Sequence, residues 1–205
     1  MPRRSHTETP AGRHTKFPDS STPWRHSMHR SSFLVVASLL LLAPIAAEAQ
    51  AEPIVIYVVR HAERADDGPN SGFTGDTSDP PLSESGWARA RLIAEMLDDA
   101  GVTHVHSTDY VRTRTTGEPT AEAEGVEIES YDPRDLRGFA ARLKTMPGRH
   151  LVLGHSNTTP QLVEALGGDP VAAIEPMEYD RFYIVTVAGG MVSTVMLRYG
   201  EPFEG

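Results

Sequence analysis

The chain has 205 residues and no cysteine, which excludes disulfides, thiolate metal sites and a cysteine nucleophile. It carries 28 acidic and 19 basic residues, and 39% of its residues are hydrophobic, which indicates a foldable, soluble domain. The net charge of −9 would repel phosphate backbones and anionic membrane surfaces, so we expect no nucleic acid partner. Histidine, serine and carboxylate side chains remain to carry chemistry.

The N-terminal region is typical of a targeting segment. Residues 33–47 (FLVVASLLLLAPIAA) are uncharged, but they contain Pro44 and fall short of the roughly 20 residues that cross a bilayer. Basic residues precede this run, and Ala47 and Ala49 are small residues at the −3 and −1 positions of a cut before Gln50, as in a secretory signal peptide. We expect residues 28–49 to be removed, with Met28 as the true start and an uncleaved signal anchor as the alternative. The mature protein would then be periplasmic or secreted, with no stable membrane anchor.

The remaining residues, 50–205, are predicted to form one domain of alternating strands and helices. Residues 54–59 (IVIYVV) form an apolar, β-branched run that predicts a strand buried on both faces of a parallel sheet. Ser83 is predicted to cap a helix that places Trp87 in the core and ends near Gly101. Three further strand and helix pairs are predicted: 103–107 with a helix from Asp109 that Gly117 and Pro119 break, 126–130 with 135–145, and 150–153 with 157–166.

The last two predicted strands form a hairpin. The runs RFYIVTV and MVSTVMLRY are joined by AGG at 188–190, a tight-turn signal that adds an antiparallel strand at the edge of the sheet. The predicted fold class is therefore α/β, a three-layer α/β/α sandwich around a mostly parallel sheet. Residues 65–81 are dense in Gly, Pro, Asp and Ser, which predicts a long surface loop over a functional site.

Charged and imidazole side chains follow the predicted strands at one edge of the sheet. Ligands in open α/β sheets bind outside the carboxyl ends of the strands. Guanidinium forks and the free amides of a helix start bind phosphate oxygens. The sequence therefore predicts a phosphate site built from Arg60 and His61 after the first strand, Arg112 after the second, and His155 and Asn157 after the fourth.

Two pairs of histidines receive different interpretations. A neutral imidazole can act as a nucleophile when a hydrogen bond to its other nitrogen selects the tautomer. We predict His61 rather than His155 as the nucleophile, because His61 stands directly beside Arg60. His104 and His106 alternate on the second predicted strand and face one side of it, but no further metal ligand is placed near them. We interpret this second pair as structural, so the sequence predicts no metal site.

Five ordered motifs across residues 54–199 resemble the histidine phosphatase (phosphoglycerate mutase-like) superfamily, in its small branch-1 form. They are VRHAE at 59–63, DPPLSESG at 79–86 followed by RA at 89–90, Ser107 with RT at 112–113, GHSNT at 154–158, and YD at 179–180. The resemblance implies a phosphoglycerate mutase-like fold and a phosphohistidine intermediate on His61. It also implies a phosphate pocket of Arg60, Arg112 and His155, with no metal and no cofactor.

The proton donor is the point at which the sequence departs from this family. The family commonly places a Glu in the loop after the third strand, and residues 128–135 (IESYDPRD) contain no clean match. Asp132, the first acidic residue after that strand, is the predicted general acid, with Asp135 and Glu63 as alternatives. A turn aspartate and a helix-capping aspartate are equally open interpretations of Asp132 and Asp135.

The sequence as a whole predicts an exported, metal-independent phosphatase that hydrolyses a small phosphorylated substrate. A mutase needs insertions that enclose the substrate during transfer, and one long loop is too little for this. Two alternatives stay open: a catalytically idle phosphate-binding module of the same fold, and a phosphoglycerate mutase-like phosphotransferase. Residues 65–81 and 176–181 are expected to select the leaving group, and the sequence leaves the oligomeric state open.

Overall fold

The computed structural model describes residues 52–205, so the predicted signal peptide at 28–49 and the start at Met28 lie outside the described residues. No helix in the described part has the length and apolar character needed to cross a membrane. The elements in chain order are β1 Ile54–Arg60, α1 Glu84–Leu97, β2 His104–Ser107, α2 Val111–Glu124, β3 Ile128–Ser130, α3 Leu136–Leu143, β4 Arg149–Gly154, α4 Thr158–Ala165, β5 Arg181–Ala188 and β6 Met191–Arg198.

The six strands form one sheet in the order β3-β2-β4-β1-β5-β6. Strands β1 to β4 pair in parallel, while β5 pairs antiparallel with β1 and β6 pairs antiparallel with β5. The hairpin turns at Gly189 and Gly190, whose φ angles of 56° and 80° lie in the left-handed region that favours glycine. The predicted mostly parallel sheet with an antiparallel edge hairpin is confirmed.

Helices cover both faces of the sheet, because β1 is apolar on both sides. Ile56 and Val58 join the core cluster that contains α3 and α4, whereas Val59 joins the cluster that contains α1 and α2. All three side chains are fully buried. The structure is therefore the three-layer α/β/α sandwich that the alternation of strands and helices predicts.

The prediction that Trp87 lies in the core is wrong, because its side chain is 37% exposed. Helix α1 turns a different stripe inward, made of Gly86, Ala90, Ile93 and Leu97. These residues recur at three- and four-residue spacing, and Trp87 lies outside that stripe. A large apolar side chain on a helix is not enough to define its buried face.

The prediction that Gly117 and Pro119 break the second helix is also wrong. Helix α2 runs through both residues and ends at Gly125, which caps it in the left-handed conformation. A Cβ atom at Gly117 would lie 3.1 Å from a Val105 methyl and 3.2 Å from a Leu153 methyl, so glycine lets the helix pack closely on the sheet. Tertiary packing outweighs the local cost of the proline here.

Candidate active site

The sheet register brings the predicted phosphate ligands together. Arg60 is paired with Gly154 in the parallel β1 and β4 ladder, and the His61 amide donates to the Gly154 carbonyl at 2.8 Å. The residue after β1 therefore lies beside His155, the residue after β4, and their rings are 5.4 Å apart. The first turn of α2 adds Arg112, whose Nε lies 3.3 Å from His61 Nε2. The structure thus places these four of the five predicted residues at one sheet edge.

His61 has the tautomer that a nucleophile needs. Its Nδ1 lies 2.8 Å from the Ala62 carbonyl, an acceptor, so the proton sits on Nδ1 and the lone pair sits on Nε2. The ring is only 3% exposed. Burial, followed by the charges of Arg60, His155 and Arg112, holds the pKa of His61 well below its ordinary value. The imidazole is therefore neutral at physiological pH, with Nε2 turned toward Arg112.

A hydroxyl group that the sequence did not single out links the backbone next to His61 to α2. Thr116 Oγ1 accepts from the Ala62 amide at 3.0 Å and donates to the Arg112 carbonyl at 2.7 Å. Thr116 thus connects the Ala62 peptide, whose carbonyl contacts His61 Nδ1, to the backbone of Arg112. Thr116 is fully buried. Only the three-dimensional packing of α2 against the β1 end reveals this role.

Arg60 is a buried guanidinium anchored by backbone carbonyls. Its Nη1 donates to the Glu175 carbonyl at 3.0 Å and to the Glu178 carbonyl at 2.8 Å, and its carbon lies 3.9 Å from the centre of the Tyr179 ring. Burial lowers the pKa of Arg60 from its ordinary value, although the group stays cationic. The Arg60 Nε is a buried donor without a hydrogen-bond partner among the described residues. A buried donor of this kind is suited to a bound anion.

Arg112 and His155 complete the set of predicted side chains around His61. The Arg112 guanidinium lies 4.2 Å from the centre of the Tyr110 ring, and its Nη1 lies 3.2 Å from Asp79 Oδ1. His155 Nε2 lies 3.0 Å from Thr108 Oγ1. Burial, with the charges of Arg112 and Arg60, lowers the pKa of His155 to about 4. A neutral His155 can still offer one N–H to a phosphate oxygen.

Asn157 lies at the start of α4, where the sequence placed a phosphate ligand. It occupies the N-cap position and is exposed, and its side chain makes no capping hydrogen bond. It shares a cleft with Tyr110, Arg112, Arg134 and His155. Its amide side chain therefore lies on the wall of the cleft that leads to His155.

The three predicted proton donors are each engaged by another group. Asp132 is exposed and pairs with Arg134 through contacts of 2.9 Å to Nε and Nη2, and this pairing lowers the pKa of Asp132. Asp135 caps α3 by accepting from the Gly138 amide at 3.0 Å. Glu63 accepts from Arg89 Nε at 2.8 and 3.0 Å. The role of Asp132 as general acid stays a prediction.

The remaining histidines of residues 52–205 form a stacked cluster, with His104 and His106 on β2 and His150 on the neighbouring β4. The rings of His104 and His150 lie 4.6 Å apart, and those of His106 and His150 lie 5.4 Å apart. His106 Nε2 lies 3.1 Å from His150 Nδ1, and His106 Nδ1 lies 3.7 Å from Glu129 Oε2. Within residues 52–205, no group of three or more His, Asp or Glu side chains is arranged to hold a metal ion.

This cluster predicts acid-sensitive folding. The pKa of fully buried His106 is lowered from 6.5 to about 3. The largest cause is burial, followed by the nearby His150, His104 and Arg142. The His106 imidazole therefore becomes protonated at a higher pH in the unfolded chain than in the folded chain. The stabilising contribution of neutral His106 is complete above about pH 6.5 and is lost as the pH falls toward about 3. From pH 7 to 4, this one group should cost about 3 kcal/mol of unfolding free energy.

Urea unfolding of the wild type and of His106→Gln at both pH values measures this effect, since glutamine cannot take up the proton. The variant should lose about 3 kcal/mol less than the wild type between pH 7 and pH 4. An equal pH dependence in the two proteins would contradict the assignment to His106.

Comparison with known proteins gives a family match over part of the chain. Residues 56–139 match the model of the histidine phosphatase superfamily (branch 1), a segment that contains Arg60, His61 and Arg112. A probable phosphoglycerate mutase, GpmB, of Serratia proteamaculans is 40% identical over 79 residues, which are 38% of this chain and 35% of that protein. The same protein of Yersinia enterocolitica is 28% identical over 122 residues, covering 60% of this chain and 55% of that protein. The chain thus spans about a third to a half of the length of these curated relatives.

Solved structures show the same fold. The protein histidine phosphatase SixA, solved in complex with tungstate, superposes with a TM-score of 0.55 at 20% identity, covering 72% of this chain and 97% of that one. A mycobacterial glucosyl-3-phosphoglycerate phosphatase superposes with a TM-score of 0.54 at 14% identity, covering 72% of this chain and 99% of that one. The fold is therefore phosphoglycerate mutase-like. The match to branch 1 of the histidine phosphatase superfamily is confined to residues 56–139, and the solved structures show the fold alone.

Proposed function

We propose that this protein is a phosphatase that hydrolyses small phosphomonoesters through a phosphohistidine intermediate on His61. The observation that carries the proposal is the state of His61, whose proton is held on Nδ1 by the Ala62 carbonyl while Nε2 lies 3.3 Å from Arg112 Nε. A neutral imidazole whose Nε2 lone pair accepts from the Arg112 guanidinium can attack the phosphorus of an anion that takes over this guanidinium contact.

The reaction is proposed to proceed in two transfers. His61 Nε2 attacks the phosphorus, the bond from phosphorus to the ester oxygen breaks, and the departing alcohol takes up a proton. Water then attacks the phosphohistidine, the bond between phosphorus and nitrogen breaks, and inorganic phosphate leaves. Arg60, Arg112, His155 and Asn157 hold the phosphate oxygens in both steps. Phosphoryl transfer depends mainly on such positioning and charge stabilisation.

We favour hydrolysis over transfer to a second substrate because Arg112 and His155 line a cleft that is open to solvent. The connections on either side of β3 are short, and the site adjoins a cleft lined by Tyr110, Arg112 and Arg134. A mutase must keep water away from its phosphohistidine until the phosphoryl group is returned. The names of the Serratia and Yersinia relatives make a phosphoglycerate mutase-like phosphotransferase the second candidate.

Phosphate release by the purified protein from a panel of phosphomonoesters and phosphoramidates tests this proposal. Running His61→Asn in parallel controls for contaminating phosphatases. Metal-independent release by the wild type alone supports the proposal, whereas activity that requires added divalent metal contradicts it. Transfer to an acceptor without net release would identify a phosphotransferase. Phosphate binding without any turnover would identify an idle module.

We also propose that the protein is exported, on the strength of the apolar run at 33–47 and the small residues at 47–49. When the gene is expressed with its own leader in a bacterial host, the protein should be recovered outside the cytoplasm with an N-terminus near Gln50. Cytoplasmic protein that begins at Met1 would contradict export and the start at Met28.

A further inference from the structure

A carboxylate that the sequence did not assign to the chemistry touches the phosphate pocket. Asp79 Oδ1 lies 3.2 Å from Arg112 Nη1, while Nε of the same guanidinium lies 3.3 Å from His61 Nε2. One planar group therefore separates the carboxylate from the nucleophile. A phosphoryl group bound to Arg112 and attacked by His61 would lie against Asp79.

The position of Asp79 is fixed by the backbone of α2. Both of its carboxylate oxygens accept from the Val111 amide, at 3.1 and 3.0 Å. Asp79 ends the long loop at 65–81, so the start of α2 holds this end of the loop beside the pocket. Its side chain is 33% exposed, so solvent reaches it. Asp79 is thus both oriented and accessible.

The other carboxylates at this edge are engaged elsewhere. Asp66 pairs with Arg64, and Asp67 Oδ2 accepts from the Tyr179 hydroxyl at 2.6 Å. Asp132 pairs with Arg134 on the exposed wall of the neighbouring cleft. Among the acidic groups in residues 52–205, Asp79 is the one paired with Arg112.

We propose that Asp79 is the proton donor to the leaving group, an inference that rests on the proposed function. A phosphate group bound to Arg112 would lie beside the Asp79 carboxyl, which contacts the same guanidinium at 3.2 Å. As His61 Nε2 forms its bond to phosphorus and the ester bond breaks, the carboxylic acid transfers its proton to the departing oxygen. An alcohol and the Asp79 carboxylate result, and solvent then returns a proton to Asp79.

The dependence of the rate on the leaving group tests this role. An alkyl alkoxide needs a proton as it departs, whereas an activated aryl oxide such as 4-nitrophenolate does not. In Asp79→Asn, kcat/KM should fall by about 10²- to 10⁴-fold for an alkyl phosphate, with little change for 4-nitrophenyl phosphate. The parameter kcat/KM reports only the steps through leaving-group release, so slow hydrolysis of the phosphohistidine does not obscure the result.

Two further variants separate proton donation from a structural role. Asp76→Asn is the matched control, because Asp76 is an exposed aspartate of the same loop that contacts Ser78 instead of the pocket, and it should leave both substrates unaffected. Asp79→Glu keeps the carboxylic acid, so its ratio of alkyl to aryl activity should stay near that of the wild type even if both rates fall.

Equal losses on both substrates in Asp79→Asn, or an unchanged alkyl rate, would overturn the proposal. A selective alkyl loss in Asp132→Asn instead would assign the proton to Asp132. Phosphohistidine trapping in the wild type distinguishes a failure of this inference from a failure of the proposed function. If the label forms but Asp79→Asn shows no leaving-group dependence, only this inference fails, whereas no label and no turnover in the wild type would defeat the proposed function.

Discussion

Replacing His61 with asparagine is expected to abolish turnover and the covalent intermediate together. The amide has no nucleophilic lone pair in place of Nε2, and loss of a covalent nucleophile costs on the order of 10⁴- to 10⁶-fold in kcat. The wild type, mixed with a 32P-labelled phosphomonoester and quenched in alkali, should retain label on the protein, because phosphoramidates survive alkali better than acid. The label should map to His61.

The same experiment contains its control. His155→Asn should reduce the rate but should still allow the label to form on His61, because His155 is proposed to bind phosphate and not to attack it. Label that maps to His155 would reverse the two roles. Turnover that persists in His61→Asn would show that the mechanism does not pass through this residue.

Replacing Arg60 with lysine is expected to lower kcat/KM by about 10²- to 10³-fold, even though the charge is kept. Lysine is a point charge without the planar fork, and it cannot bind two carbonyls and a phosphate oxygen in fixed directions. In the wild type, Arg60 Nη1 binds the carbonyls of Glu175 and Glu178, and Nε has no hydrogen-bond partner among residues 52–205. The lysine variant should raise KM and lower kcat, since positioning contributes to both.

Arg91→Lys is the matched control, because Arg91 lies on the exposed face of α1. It should behave like the wild type in turnover and in thermal unfolding. Arg60→Lys should also unfold at a lower temperature, because its two carbonyl acceptors lose a charged donor. Activity within a factor of about three of the wild type would show that Arg60 serves the fold and not the phosphate.

Much of the site could be predicted from the sequence because parallel strands end at a common edge. Arg60, His61 and His155 each follow an unbroken apolar run, and the pairing of β1 with β4 brings those ends together. The helix after β2 delivers Arg112 to the same edge. These positions depend on the alternation of strands and helices, which is a property of local sequence pattern.

The contacts between the loop and α2 could not be predicted in the same way. Asp79 ends a loop whose path depends on where its hydrogen-bond partners lie, and Thr116 acts through groups 54 residues earlier in the chain. The exposure of Trp87 and the continuity of α2 through Pro119 could not be predicted from the local sequence either. The buried stripe of α1 and the continuity of α2 are decided by packing against the sheet, which outweighs local propensity.

The hydroxyl of Thr116 affects which substitutions in α2 the candidate site can tolerate. Because this one side chain binds the Ala62 peptide and the Arg112 carbonyl, we expect the His61 ring and the Arg112 guanidinium to shift together with α2. A substitution on the outer surface of α2 that tilts the helix slightly would carry both groups in the same direction. The distance between them would then be conserved while the outer surface of α2 varies.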